Sequence, residues 1–358
     1  MLLDKAPPRP ADDQRGHMPY GPDYLDYSGR DDTLSGGVRT IPVSTANATY
    51  KVWTKRVGNN PATKLLLLHG GPAATHEYFE CFDSYLPAAG VEYYYYDQLG
   101  SAYSDQPEDP ALWEIDRFVD EVEQVRQALG LDADNFFLLG HSWGGVLAIE
   151  YALRHQQHLK GLVISNMMSS IPAYNRYAES VLMPPMDQRV LAEIKGMEAT
   201  GQTSDPRYAE LLNEHHYVHH VLRMPVEQWP DPVVRAFAHI NQSIYVPMQG
   251  PSELGASGKL VDWDRSADLH NIEVPTLVIG AQHDTMDPAH MEEMASAFPR
   301  GTYLHCPTGS HMAMYDDQQT YMNGLVDFLT SDRRRQSNQE ESDDRAFGPT
   351  TVPKPNGE

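Results

Sequence analysis

The stretch that decides the fold is Gly140-His141-Ser142-Trp143-Gly144-Gly145. It lies between an apolar run at residues 136–139 and a segment at residues 146–153 whose composition is typical of a helix. A Gly-x-Ser-x-Gly sequence between a strand and a helix predicts a nucleophile elbow, a tight turn that presents the serine hydroxyl above the sheet. The flanking glycines suit this turn because a Cβ would block its strained backbone. Ser142 is therefore predicted to be a nucleophile.

Strand and helix patterns alternate on both sides of this stretch. Strands are predicted at residues 38–43, 49–57, 64–68, 91–96, 136–139, 161–165, 275–280 and 302–305, the first two as a hairpin, and helices near residues 77–86, 113–129, 146–153 and 319–329. The short apolar runs suit strands that are covered on both faces. The alternation of strands with helices predicts an α/β fold with a mostly parallel, doubly wound sheet.

A different composition interrupts this alternation. Residues 169–263 are rich in Met, His and Pro, with helical patches and no clear strand. They are predicted to form a helical cap between two parts of the core, residues 37–168 and 264–330, and such a cap is a usual place for substrate selection. Residues 1–36 are predicted to be an irregular leader, and residues 331–358 a charged, disordered tail.

The composition excludes several classes of function. With 50 acidic against 27 basic residues and a formal net charge of −23, nucleic acid and anionic membrane surfaces are not expected as partners. The two cysteines, Cys81 and Cys306, provide neither a disulfide framework nor the spacing of a zinc site. The first residues lack the apolar core of a signal peptide, and no apolar run reaches membrane-spanning length, so we expect a cytoplasmic location.

A serine hydroxyl becomes a good nucleophile when a histidine takes its proton and a carboxylate orients that histidine. After an elbow serine, the acid comes next along the chain and the histidine last. Asp284, in the loop after the next-to-last predicted strand, is the expected acid, and Asp287 is the alternative. His311, in the loop after the last strand, is the expected base, in preference to His305 and His290.

Acyl transfer also needs hydrogen-bond donors for the oxyanion of the tetrahedral intermediate. The sequence His69-Gly70-Gly71-Pro72 follows the first buried strand, where its glycines let backbone N–H groups reach a substrate carbonyl. The expected donors are the N–H groups of Gly71 and of Trp143, the residue after the nucleophile. Histidines four residues apart within residues 214–220 leave a metal site as an alternative, but the triad chemistry needs no metal, and neither a metal nor a cofactor is predicted.

Three motifs together resemble the proline iminopeptidases, α/β-hydrolase-fold serine aminopeptidases that include the tricorn-interacting aminopeptidase. The motifs are His69-Gly70-Gly71-Pro72, Tyr96-Asp97-Gln98-Leu99-Gly100-Ser101-Ala102-Tyr103-Ser104 and Gly140-His141-Ser142-Trp143-Gly144-Gly145, and the resemblance runs from about residue 49 to residue 329. It implies an α/β-hydrolase fold and the release of an N-terminal residue, often proline, from short peptides without a metal.

In that family a cap glutamate in a Gly-Pro-x-Glu-Phe segment binds the free α-amine of the substrate. The matching segment is Gly250-Pro251-Ser252-Glu253-Leu254, which implies that Glu253 binds the amine. Some members carry a second glutamate directly after the catalytic aspartate, where this chain has Thr285, and Ala73 and Ala102 stand where glycine is usual. The missing acid leaves open an amino-acid amidase or esterase, and a non-catalytic binding protein of the same fold is an alternative from another class.

Overall fold

The computed structural model describes residues 23–331. An eight-stranded sheet runs through them in the order β1-β2-β4-β3-β5-β6-β7-β8. The strands are β1 (Val38–Ser44), β2 (Thr49–Val57), β3 (Lys64–Leu68), β4 (Glu92–Asp97), β5 (Phe136–His141), β6 (Gly161–Ser165), β7 (Thr276–Ala281) and β8 (Gly301–Cys306). The predicted hairpin of β1 and β2 forms, β2 pairs antiparallel with β4, and all later pairs are parallel. The predicted α/β-hydrolase fold is confirmed.

The helices pack around this sheet and fill the chain between β6 and β7. The α-helices are α1 (Ile115–Leu129), α2 (Trp143–His155), α3 (Ile171–Tyr177), α4 (Gln188–Ala199), α5 (Pro206–Leu212), α6 (Val218–His220), α7 (Asp231–Ala238), α8 (Gln242–Met248), α9 (Pro288–Ala297), α10 (Ala313–Asp316) and α11 (residues 318–331). Single 3-10 turns and two π-helical turns, Ala178–Leu182 and Asn213–Tyr217, extend several of them. No helix within residues 23–331 combines the length and the apolar character that crossing a bilayer requires.

Apolar strands are buried here because helices cover both faces of the sheet. In β3, Leu66 and Leu68 belong to one hydrophobic core, and Leu65 and Leu67 belong to the core on the opposite face. This division follows the two-residue period of a strand. Every residue of β4, β5, β6 and β7 is buried, so the carboxyl ends of these strands are held at one rigid edge.

The segment predicted to be a helix near residues 77–86 forms 3-10 turns instead, over His76–Ser84. With about 3.0 residues per turn, residues three apart share a face. Phe79 and Phe82 are both fully buried in the core beside β3 and β4. The tighter turn thus directs both rings into the same core.

The long connection between β6 and β7 holds helices α3 to α8 and no named strand. An isolated bridge between Ser170 and Asp264 joins the two ends of the predicted cap region. Of the predicted leader, residues 23–36 form turns and the 3-10 helix Thr33–Ser35. They are tied to β2 by a buried ion pair in which Arg56 contacts Asp32 at 2.6 Å. Residues 1–22 and the predicted tail beyond residue 331 lie outside the described residues.

Candidate active site

The turn between β5 and α2 has the geometry of a nucleophile elbow. Ser142 has φ +56° and ψ −127°, a backbone conformation that side-chain-bearing residues rarely adopt. Its N–H donates to the carbonyl of Ser165 at 3.1 Å. A Cβ on Gly140 would lie 1.9 Å from the carbonyl oxygen of Gly144, and one on Gly144 would lie 2.1 Å from that of Leu68. The strand, the turn and the helix can approach this closely only because both positions are glycine.

His311 and Asp284 form a buried pair beside this turn. Nδ1 of His311 donates to Oδ1 of Asp284 at 2.8 Å, and the N–H of Met286 donates to the same oxygen at 3.1 Å. Burial by itself would lower the pKa of His311, but the charge and hydrogen bond of Asp284 outweigh it and raise that pKa. Because Nδ1 carries the proton, Nε2 is the free acceptor of the ring. Both Ser142 and His311 line one cavity.

The alternative acid, Asp287, and the alternative histidines, His290 and His305, lie outside the cavity that contains Ser142. Asp287 caps α9, accepting the N–H of Ala289 at 3.0 Å. Nε2 of His290 lies 3.0 Å from the hydroxyl of Ser169, and His305 is exposed on β8. None of these three side chains lines the cavity that contains the serine.

Asn166 is a site residue that the sequence reasoning missed. Its Nδ2 donates to Oδ2 of Asp284 at 2.7 Å and to the carbonyl of Ser310 at 3.2 Å, and its φ is +52°. Asn166 thus binds the carboxylate oxygen of Asp284 that is not bonded to His311. The signal in the sequence is its position, the first residue after β6 at the carboxyl edge of the sheet. Thr285 also approaches the pair, with Oγ1 3.3 Å from the Nδ1 of the histidine.

The loop after β3 lies against the nucleophile. A Cβ on Gly70 would lie 2.9 Å from the Cβ of Ser142, and the N–H of Gly70 donates to the Tyr78 hydroxyl at 2.5 Å. Gly71 has φ +112°, which favours glycine. The N–H groups of Gly71 and Trp143 find no hydrogen-bond acceptor within residues 23–331. These two amides, the predicted oxyanion donors, are thus available to a ligand.

Gln98, from the Asp-Gln motif after β4, ties this loop to the elbow. Its Nε2 donates to the carbonyl of His69 at 3.0 Å, and its Oε1 accepts the indole N–H of Trp143 at 2.9 Å. The neighbouring Asp97 is fully buried and accepts the backbone N–H of His76 at 3.0 Å. This aspartate therefore supports the backbone at the start of the 3-10 turns and makes no hydrogen bond to His311.

The cavity above Ser142 measures about 380 Å³ and extends between the core and the helices of the β6–β7 connection. Glu253 is the one acidic residue among its lining residues within 23–331. Most of the wall on the helical side is apolar, formed by Leu212, Val221, Ala236, Phe237, Ile240 and Val246. A site with one carboxylate in an apolar wall suits a small ligand that combines an apolar group with a single positive charge.

Glu253 is held by hydrogen bonds at its backbone and its side chain. The Tyr245 hydroxyl donates to Oε1 at 2.5 Å. The Glu253 carbonyl accepts the Tyr174 hydroxyl at 2.8 Å and Nε2–H of His216 at 3.1 Å, and its N–H donates to the Tyr217 hydroxyl at 3.3 Å. Burial raises the pKa of the Glu253 carboxyl. A carboxylate held in this way has no cationic partner within residues 23–331 and would gain one from a protonated amine.

The helical connection also holds the loop of His311. The N–H of His311 donates to the carbonyl of His220 at 3.0 Å, and that of Met312 donates to the carbonyl of Val221 at 2.8 Å. The hydroxyl of Ser310 donates to the same Val221 carbonyl at 2.8 Å. The helices between β6 and β7 therefore line the cavity and fix the backbone of the predicted base.

Two of the histidines considered as metal ligands from the sequence, His216 and His220, bind backbone groups. Nε2–H of His216 donates to the carbonyl of Glu253, and Nδ1–H of His220 donates to that of His283 at 3.0 Å. Burial lowers the pKa of His216 to about 3, so the ring is neutral near pH 7. Their role in this structure is to join the helical connection to the loops around the site.

One group within residues 23–331 has ligand atoms close enough to hold a metal ion, formed by Glu123, His155 and His158. It lies at the end of α2, away from the cavity. Arg126 donates to both oxygens of Glu123, at 2.8 and 2.7 Å, and the Tyr151 hydroxyl donates at 2.8 Å. The charge of this carboxylate is thus already paired, which makes the group a poor cation site.

Comparison with known proteins shows which family of proteins this chain resembles in sequence and structure. A profile of the α/β hydrolase fold matches residues 64–195. The chain is 55% identical to a proline iminopeptidase of Flavobacterium johnsoniae over 81% of this chain and 97% of that protein. Among solved structures it is similar to VinJ, at 29% identity and a TM-score of 0.75, and to the proline iminopeptidase of Mycobacterium smegmatis, at 27% identity and a TM-score of 0.71. Each match covers 82% of this chain and 98% of the solved chain.

Proposed function

The chain belongs to the proline iminopeptidase family, and we propose from this that it is a serine aminopeptidase that releases an N-terminal residue, often proline, from short peptides through an acyl-enzyme. The observation that carries the proposal is the shared cavity, in which a single carboxylate, Glu253, accompanies Ser142 and His311. A carbonyl next to a free ammonium group is the chemical feature that distinguishes the first residue of a peptide. The cavity offers one partner for each of these two groups.

In the proposed reaction, Ser142 attacks the carbonyl carbon of the first residue while Nε2 of His311 takes its proton. Collapse of the tetrahedral intermediate breaks the peptide bond, and His311 gives the proton to the leaving amine. Water then attacks the acyl-enzyme with His311 again as the base, which frees the amino acid and restores the serine. Asp284 holds the tautomer with hydrogen on Nδ1, the one hydrogen-bonded at 2.8 Å, and stabilises the imidazolium.

The N–H groups of Gly71 and Trp143 are proposed to bind the oxyanion. Support comes from their lack of acceptors within residues 23–331 and from the contact of their loops with Ser142. Backbone donors fixed before the reaction stabilise the developing charge without reorganisation. Gln98 serves them indirectly, since it bonds the carbonyl of His69 and the indole of Trp143.

Glu253 is proposed to bind the ammonium group of the substrate. A charge removed from water needs a counter-charge nearby, and an unpaired one costs several kcal/mol. The apolar wall of the cavity would then accept the side chain or pyrrolidine ring of the first residue. We propose on this basis that residues 169–263 act as a cap that selects the substrate. The cytoplasmic location, and the absence of nucleic-acid and membrane partners, stay predictions from the sequence.

An amino-acid amidase or esterase is the second candidate, and Thr285 favours it. Without the second acid, Glu253 is the one carboxylate that lines the cavity in the described part of the chain, and thus the one anchor for the amine. Aminoacyl amides and esters present the same ammonium and carbonyl groups as a peptide. The leaving group accepted by the enzyme distinguishes the two activities.

A panel of aminoacyl-β-naphthylamides tests the proposal. Pro, Ala, Leu and Phe derivatives are compared with their N-acetylated forms and with short peptides that begin with the same residues. We expect cleavage of the free-amine forms, with proline among the best, and a loss of about 10⁴ to 10⁶ in kcat for Ser142→Ala. A fluorophosphonate should label the wild-type protein and leave Ser142→Ala unlabelled. Full activity of Ser142→Ala would refute the mechanism, and absence of labelling would favour a binding protein.

A further inference from the structure

Behind the catalytic groups, a chain of hydrogen bonds connects the oxyanion loop to His311. The N–H of Gly70 donates to the Tyr78 hydroxyl at 2.5 Å. That hydroxyl lies 3.1 Å from Nδ1 of His141, and Nε2 of His141 lies 2.9 Å from the carbonyl oxygen of His311. Tyr78 and His141 are 4% and 2% exposed, so water does not replace these bonds.

The direction of every bond in this chain is determined. A carbonyl oxygen only accepts, so Nε2 of His141 carries the proton that it shares with His311. Burial lowers the pKa of His141 to about 3, so its Nδ1 is unprotonated near pH 7 and accepts the Tyr78 O–H. The Tyr78 oxygen in turn accepts the N–H of Gly70. Because no member can reverse its role, a shift at one end is transmitted to the other.

The two ends of this hydrogen-bond chain are the oxyanion loop and the loop of His311, which must keep a fixed distance from each other. Gly70 contacts Ser142 and precedes the proposed oxyanion donor Gly71. At the other end, the backbone N–H of His311 is held by the carbonyl of His220, and its ring by Asp284 at 2.8 Å. The bond from His141 fixes the remaining polar group of the His311 backbone. A displacement of about 1 Å between reacting groups can cost 10²-fold in rate.

We infer that Tyr78 and His141 are positioning residues that couple the oxyanion loop to the loop of the catalytic histidine. The inference rests on the proposed serine mechanism. It assigns to His141, the residue directly before Ser142, a role separate from forming the turn. It also accounts for the Gly70 N–H, which is bonded to Tyr78, so that the Gly71 N–H is the one left without an acceptor in this pair.

The variant Tyr78→Phe tests this coupling because it removes one oxygen atom and keeps the ring. The Gly70 N–H and Nδ1 of His141 would both lose their partner, so both loops should shift. Two measurements report on the two ends. The ratio of kcat/KM for a phenyl ester to that for its thionoester reports on the oxyanion donors, which bind sulfur less well than oxygen. The acidic limb of the pH dependence of kcat/KM reports on the pKa of His311.

For Tyr78→Phe we expect kcat to fall on the order of 10- to 100-fold with KM little changed. The ester-to-thionoester ratio should also fall, because the oxyanion loop shifts. The acidic limb of the pH dependence should move to lower pH, because His311 moves away from Asp284. The control Tyr95→Phe removes the hydroxyl of an equally buried tyrosine outside the cavity and should change neither. His141→Leu, whose side chain has neither a donor nor an acceptor, removes both bonds of His141 and should move both readouts in the same directions. This second variant keeps the test open if Tyr78→Phe fails to fold.

A change at only one end, or at neither, in a folded variant overturns the coupling. Thermal unfolding of each variant shows whether a loss of activity reflects unfolding instead. Failure of the underlying mechanism looks different, since the wild-type protein would then neither cleave prolyl naphthylamide nor react with fluorophosphonate. Wild-type activity with an unaffected Tyr78→Phe removes this inference alone.

Discussion

Replacing Glu253 by glutamine removes the charge proposed to bind the substrate amine and keeps the shape of the side chain. The Tyr245 hydroxyl, 2.5 Å from Oε1, can still donate to the amide oxygen of glutamine, and the backbone bonds of residue 253 are not altered. Removing one member of a buried charge pair costs about 2–5 kcal/mol. Because Glu253 is only partly buried in the cavity wall, we expect the lower part of that range, about 2–3 kcal/mol, or roughly a 30- to 150-fold loss in kcat/KM.

The assay compares prolyl p-nitroanilide with p-nitrophenyl acetate, which has no amine. The loss should appear mainly in KM for the prolyl substrate, and hydrolysis of the acetate at the pH optimum should stay within about twofold, since the triad is intact. Glu198→Gln is the matched control, because this glutamate also accepts a tyrosine hydroxyl, that of Tyr208 at 2.9 Å, but does not line the cavity. Equal losses on both substrates would show that Glu253 acts on the triad and does not bind the amine.

Three further predictions follow from the site and its loops. The Glu253 charge contributes to the raised pKa of His311, so Glu253→Gln should move the acidic limb of p-nitrophenyl acetate hydrolysis to lower pH, and a shift to higher pH would contradict this sign. Asn166→Ala leaves Oδ2 of Asp284 without its donor at 2.7 Å and should lower kcat on the order of 10-fold with little change in KM; an unchanged kcat would exclude an orienting role. Ala102 has φ +32°, a strained conformation for a residue with a Cβ. Ala102→Gly relieves this strain but raises the entropy of the unfolded chain, so the free energy of unfolding in urea should change by about 0 to +1 kcal/mol. A loss of more than about 1 kcal/mol would show that Ala102 is not strained.

The sequence could predict features that depend on neighbours along the chain. Apolar runs, their spacing and the glycines around Ser142 are local, and they predicted the alternating strands and the elbow. The order of serine, acid and histidine limited the search to two short loops. Asp287-Pro288 carried a further local signal, a helix cap followed by proline at the first helical position. That cap occupies Asp287 and distinguishes it from Asp284.

Tertiary structure decided what depends on residues far apart in sequence. Asn166 reaches Asp284 across 118 positions, and Tyr78 meets His141 across 63. No periodicity predicts such contacts, because the sheet order brings together loops and strand ends that are far apart in the sequence. The 3-10 turns at His76–Ser84 have the same origin, since packing of two phenylalanines into one core outweighs the local preference for an α-helix. Local sequence patterns thus determined which candidate catalytic side chains are present and which strands they follow. The packing of the sheet determined which N–H groups of each loop find an acceptor, since a buried polar group takes whichever partner the fold supplies.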